Sequence, residues 1–146
     1  MSGIGRDGIL ALIPHAGAMC LLDHVERWDA SGITCLSARY SAADNPMRRA
    51  DGSLGTACGI EIAAQAMALH GRLSAPVEGA PRPGFLISLR DVRLRAASFS
   101  PNAGPVTVMA RQLLGDARSA SYAFTVTAGE SEWLSGRATV LFEAPA

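Results

Sequence analysis

The chain has 146 residues, 49% of them hydrophobic and 18% charged, with thirteen basic and thirteen acidic side chains and no net charge. That is enough apolar material for one domain with a single core, and it leaves no general basic field for nucleic acid, since the arginines are scattered and lysine is absent. The longest apolar run is broken by Glu61 and Gln65 and falls short of the about 20 residues a membrane span needs. No basic segment, apolar stretch and small-residue cleavage site open the chain, so no signal peptide is expected. Cys20, Cys35 and Cys58 are odd in number and form no Cys-x-x-Cys pair. A reduced, cytoplasmic protein without a metal site is the expectation.

In chain order, Asp7 to Ile13 reads as a short helix with Asp7 as its N-cap, ended by Pro14. Leu21 to Trp28 and Ile33 to Tyr40 read as strands around the turn Asp29-Ala30-Ser31-Gly32. A loop from Ala43 to Leu54 leads to Gly55–Leu73, GTACGIEIAAQAMALHGRL, a helix apolar almost all the way round. Such a helix belongs inside the protein. After a breaker-rich connection at Pro76 to Pro83, the period changes to two. Phe85 to Ala96, Val106 to Leu114, Ser119 to Ala128 and Trp133 to Phe142 are the expected strands. The even positions Val106, Val108, Ala110, Leu114, Ala120, Tyr122, Phe124, Val126, Leu134, Ala138, Val140 and Phe142 supply the apolar face. A sheet with one dry face needs cover, and the only long apolar element is the helix. The chain should therefore form one α+β domain over residues 1–146, a curved antiparallel sheet wrapped around one central helix, the hotdog fold.

Glu61 is the residue at odds with its helix. A carboxylate taken into a core costs several kcal/mol unless paired, hydrogen-bonded or protonated, so burial should raise its pKa and favour a role in chemistry. Gln65 lies four residues on, one turn away on the same face, and can orient the carboxylate. Arg72 shares the stripe but is about three turns distant. The small residues around Thr56, Cys58 and Gly59 allow a ligand to approach the helix start, whose N–H groups and dipole suit a developing oxyanion; they equally allow tight packing.

His15, in IPHAGAM, stands in a segment too apolar for an ordinary surface loop. It can serve as a base or acid near neutral pH, or as a structural histidine. His24 and His70 read as structural. Arg48 and Arg49 in NPMRRADG could bind a phosphate or an acidic partner, or be solvated; Arg90, Arg93 and Arg95 form a second cluster with the same alternatives. A nucleophilic Cys58 lacks an assignable histidine. There is no glycine-rich phosphate loop, nucleophile elbow or zinc motif.

The order IPHAGAMCLLDHVERWD, GIEIAAQAM, GFLISLRDVRL resembles the hotdog β-hydroxyacyl-[acyl-carrier-protein] dehydratases, and within them the divergent relatives associated with aryl-polyene biosynthesis. The resemblance covers nearly the whole chain and rests on Pro-His-x-x-x-Met-x-Leu-Leu-Asp and Ile-Glu-x-x-Ala-Gln-Ala-Met. It implies loss of water from a β-hydroxyacyl thioester to give a trans-2-enoyl thioester, with the substrate on the phosphopantetheine arm of an acyl carrier protein and no further cofactor. It also implies a dimer, of two copies or with another hotdog subunit, with Glu61 as the helix carboxylate and Gln65 as its ordering glutamine. The familiar dehydratases carry their histidine in a Gly-His-Phe-Pro loop before the helix. Here that loop is NPMRRADGSLG, and His15 takes the role in the reading favoured. On the reading favoured, Glu61 is the acid, Thr56, Cys58, Gly59 and Gln65 are the substrate-binding residues, and Arg48 and Arg49 are the carrier-protein contacts. A thioesterase with Glu61 activating water, or a non-catalytic partner subunit, are the competing functions.

Overall fold

Alternation along Ser119–Ala128 shows how the sheet is organised. Ala120, Tyr122, Phe124 and Val126 are buried while their neighbours are half-exposed, the pattern of a strand with one face on the core. The computed structural model describes residues 3–13, 17–74, 84–95, 98–99, 104–116 and 118–142. In chain order these form β1 (Ile4–Gly5), α1 (Arg6–Leu12), β2 (His24–Asp29), β3 (Gly32–Ser37), β4 (Leu54–Gly55), α2 (Thr56–Ser74), β5 (Gly84–Leu94), β6 (Ser98–Phe99), β7 (Val106–Gly115), β8 (Ser119–Ala128) and β9 (Ser131–Phe142). Seven strands make one antiparallel sheet in the order β1-β2-β3-β7-β8-β9-β5, and β4 pairs with β6 beside it.

The helix α2 lies across the inner face of this sheet, against β3, β7, β8 and β9. Its residues Ile62, Ala63, Ala66, Met67 and Leu69 join Cys35, Val108, Tyr122, Phe124, Val126 and Leu134 in one core. This is the hotdog architecture anticipated from the period change. No helix among the described residues is long and apolar enough to cross a membrane.

Several element ends differ from the sequence expectation, each for a local reason. Leu114 is 75% exposed rather than inward, because a bulge between Gln112 and Leu114 shifts the β7 register by one residue and reverses the faces. Asp7 falls in the first turn of α1, not at its cap; Gly5 occupies the cap position and pairs with His24 as part of β1. Leu21 and Leu22 are not in β2, since the Leu21 N–H is taken by the Gln65 side chain instead of a neighbouring strand. β3 stops at Ser37 because the next two N–H groups, of Ala38 and Arg39, turn onto the Asp23 carboxylate. The poor alternation of β5 has its cause in two register shifts, between Leu86 and Ser88 and between Arg90 and Arg93, with Asp91 at a φ of 52°.

Strand β5 ends the sheet order, so one of its edges has no strand partner among the described residues. Leu86, Leu89 and Leu94 pair with Val140, Ala138 and Leu134 on the helix side, yet they are 39%, 39% and 51% exposed. α2 covers the middle of the sheet and leaves this margin bare.

Gly136 stands directly opposite Phe124 in the β8–β9 register. A Cβ at Gly136 would lie 3.0 Å from the Phe124 ring and 3.1 Å from Val92. Gly136→Val should therefore destabilise the fold by about 1–3 kcal/mol through overpacking, read as a lower urea midpoint with unchanged slope. Part of that loss should return in Gly136→Val/Phe124→Leu, because the two sites share one contact.

Candidate active site

The buried Gln65 side chain joins α2 to the segment that follows α1. Its Oε1 accepts from the Leu21 N–H at 2.8 Å, and its Nε2 donates to the Met19 carbonyl at 2.8 Å and to Glu61 Oε1 at 3.1 Å. Helical spacing of four residues places Glu61 and Gln65 on one stripe, and the amide settles which way the carboxylate faces. Glu61 is half-buried rather than enclosed. The sequence expectation of a mid-core carboxylate is corrected accordingly: residue-level periodicity reported the helix as apolar all round, but the stripe carrying Glu61 runs under the loop of residues 17–22, which does not seal it.

That loop is held from its other side by a residue the sequence reading missed. Arg6, at the start of α1, donates from Nη1 to the Cys20 and Leu22 carbonyls at 2.8 and 3.0 Å, and from Nη2 to the Gly17 carbonyl at 2.9 Å. Ser37 Oγ donates to the Leu21 carbonyl at 2.5 Å, and the Asp23 carboxylate receives two backbone N–H groups. The carbonyls of Gly17, Met19, Cys20, Leu21 and Leu22 and the N–H groups of Cys20, Leu21 and Asp23 thus have partners, which an apolar, partly buried loop requires of its buried polar groups. No periodicity announces Arg6; the one available signal was a loop too apolar to be solvated and in need of donors.

The remaining sequence candidates fall in different surroundings. His15, with Pro14 and Ala16, lies outside the described residues, between Ile13, which is buried, and Gly17. Cys58 and Gly59 are buried and Thr56 is half-buried at the start of α2. Asn45 Nδ2 donates to Cys58 Sγ at 3.6 Å, and burial, reinforced by the nearby Glu61 charge, raises the thiol pKa despite that bond. The helix start therefore does not make Cys58 a thiolate. Arg48 turns into its own loop and donates to the Ser41 carbonyl at 2.6 Å. Arg49 is exposed, donates to Ser53 Oγ at 3.5 Å, and lays its guanidinium against Gly55 beside the start of α2.

His70 is fully buried and away from Glu61 by more than two turns. Its Nε2 lies 2.8 Å from the Asp29 carbonyl and 3.2 Å from Ser74 Oγ, and its Nδ1 lies 2.8 Å from the Tyr122 hydroxyl. The neutral tautomer protonated on Nε2 satisfies this set, donating to Asp29 and accepting from Tyr122. Burial lowers its pKa, against the raising effects of Asp29. It ties the end of α2 to the sheet.

Residues 8–145 match the family profile described as ApeP-like, ApeP dehydratase. No curated protein sequence matches the chain. Among solved structures, the dehydratase heterocomplex ApeI:P from Xenorhabdus doucetiae superposes with a TM-score of 0.81 at 22% identity, over 93% of this chain and 91% of that one. Zebra fish thioesterase superfamily member 2 gives 0.65 at 12% identity, over 96% and 99%. Thioesterase HI1161 from Haemophilus influenzae gives 0.58 at 15% identity, over 82% and 77%. At these identities the structural likenesses establish the fold.

Replacing Gln65 by Leu leaves the Leu21 N–H without a partner, and stability should fall by about 1–3 kcal/mol in chemical denaturation. Acidification should act through His70. An unfolded histidine titrates at 6.5 and the folded one lower, so the unfolded chain binds the proton first, and the stability this site contributes is complete above 6.5 and lost as pH falls through the folded value. The stability difference between the wild type and His70→Gln should accordingly shrink as pH is lowered below 6.5; a constant difference across that range would contradict the assignment.

Proposed function

The chain belongs to the ApeP-like dehydratase family, and on that premise we propose that it removes water from a β-hydroxyacyl thioester borne on an acyl carrier protein, giving a trans-2-enoyl thioester for a fatty-acid-like or aryl-polyene product. The observation that carries this reading is the Gln65 amide, which binds the Glu61 carboxylate and, with its other contacts, the loop that continues the Pro14-His15 motif.

In the proposed reaction neutral His15 takes the α-proton of the acyl chain. N–H groups at the start of α2, from Thr56 to Gly59, stabilise the enolate oxygen. Glu61, held by Gln65, gives its proton to the β-hydroxyl, which leaves as water while the α–β double bond forms. Cys58 contributes a wall, since its thiol is protonated and buried. Arg49, exposed next to the helix start, is the better placed of the two arginines for an acidic carrier protein; Arg48 supports the loop. The substrate arrives on phosphopantetheine, and the chemistry calls on no other cofactor or metal.

A dimer belongs to the same proposal. The edge of β5, which has no strand partner among the described residues and exposes Leu86, Ile87, Leu89 and Leu94, is the kind of edge that pairs with another strand. A second copy, or another hotdog subunit as the heterocomplex relative suggests, would continue the sheet and cover the leucines.

Thioesterases among the similar structures favour one competitor, hydrolysis with Glu61 activating water. Glu61→Gln and His15→Ala should each lower hydration of an enoyl thioester by about a hundredfold or more while the variants keep the wild-type circular dichroism and oligomer size. Full activity in either variant would refute its assigned role. Release of free thiol from a saturated acyl thioester, without any enoyl chemistry, would transfer the protein to the thioesterases; an inert homodimer that gains activity with another hotdog subunit would make it a partner chain.

A further inference from the structure

The sheet face turned away from α2 carries a basic groove that the proposed reaction leaves unused. Met109 and Arg111 of β7, Ala123 and Thr125 of β8, and Ser135 and Arg137 of β9 alternate with core residues and point outward. Between these strands and the β2–β3 hairpin lies a concavity of about 690 Å³, within the roughly 300–1,000 Å³ common for small-molecule sites.

Three guanidiniums line it, from Arg27, Arg111 and Arg137. All three residues are exposed, and none of their guanidiniums has a hydrogen bond or ion pair among the described residues. Arg111 pairs across to Ala123 and Ala123 to Arg137, so the two arginines stand two strands apart, about 10 Å, over a residue too small to separate their heads. Arg137 in turn sits directly opposite Arg90. Like charges in that relation repel, and no ion pair among the described residues involves either arginine. Of the two carboxylates in the lining, Asp29 already accepts from the Ser31 N–H, Ser31 hydroxyl and Gly32 N–H, and Asp91 stands in the β5 bulge.

We propose that this groove binds a small phosphate-bearing molecule, held by Arg111 and Arg137 from either side of Ala123, with Arg27 closing the β2 end. Guanidinium forks match phosphate oxygens in number and direction, and the Thr125 and Ser135 hydroxyls, in the adjacent outward row opposite Met109, add neutral donors. The concave shape and limited volume favour a small polyanion over an acidic protein face. The groove is on the opposite side of the sheet from α2, so occupancy does not require the Glu61 site.

Calorimetric titration of the full-length protein with pyrophosphate at low ionic strength tests this. One molecule should bind per chain, and Arg111→Gln or Arg137→Gln should each raise Kd about ten- to a hundredfold. Arg95→Gln, which removes a guanidinium paired with Glu132 outside the groove, should leave Kd unchanged. Arg111→Lys, which keeps the charge and loses the fork, should bind with intermediate Kd and covers the case of an unfolded Gln variant. Absence of pyrophosphate binding, or equal Kd in all variants, would overturn the proposal. So would binding of polyglutamate but not pyrophosphate, or an oligomer that dissociates on Arg111→Gln, either of which would assign the face to a protein contact.

Discussion

The Gln65 amide is the point on which the site depends. A glutamine buried in a core is tolerated when its donors and acceptor are used, and here three bonds use them: two to the backbone of Met19 and Leu21 and one to Glu61. The two backbone bonds replace strand pairing that the sequence of Leu21 and Leu22 would otherwise support. The loop is thereby kept off the sheet and laid along α2. A helix residue thus determines the path of a segment more than forty positions earlier in the chain, and the carboxylate beside it is oriented as a consequence.

Arg6 completes the arrangement from the outside of the loop. Carbonyls at Gly17, Cys20 and Leu22 accept from its guanidinium, while the Met19 carbonyl and the Leu21 N–H turn to the Gln65 amide. Alternation of this kind is a strand-like property, satisfied here by side chains. The Leu-Leu-Asp end of the motif follows the same logic: Leu21 and Leu22 are buried, and Asp23 ends β3 by drawing the Ala38 and Arg39 N–H groups out of the ladder.

The sheet divides its work between two faces and an edge. Its inner face holds α2, its outer face collects arginines, and β5 leaves an open margin with partly bare leucines. Register shifts account for the places where alternation fails, in β5 and at the end of β7. A bulge inserts one residue, so every following side chain changes face. Pattern reading assumes an unbroken period and therefore assigns Leu114 to the core.

Periodicity and composition by themselves determined the architecture: one apolar helix, alternating strands after Gly84, and no second apolar element able to cover the sheet. Four-residue spacing also determined that Glu61 and Gln65 share a stripe, because the helical repeat is a local property. Only the tertiary structure decided what Gln65 binds, that Arg6 holds the facing loop, that Arg48 is committed to the Ser41 carbonyl while Arg49 lies exposed beside the helix start, and that Arg27, Arg111 and Arg137 meet on one face. Those relations join residues from 6 positions apart, Arg49 and Gly55, to 110 apart, Arg27 and Arg137. They are set by strand register and loop path, which no local pattern encodes.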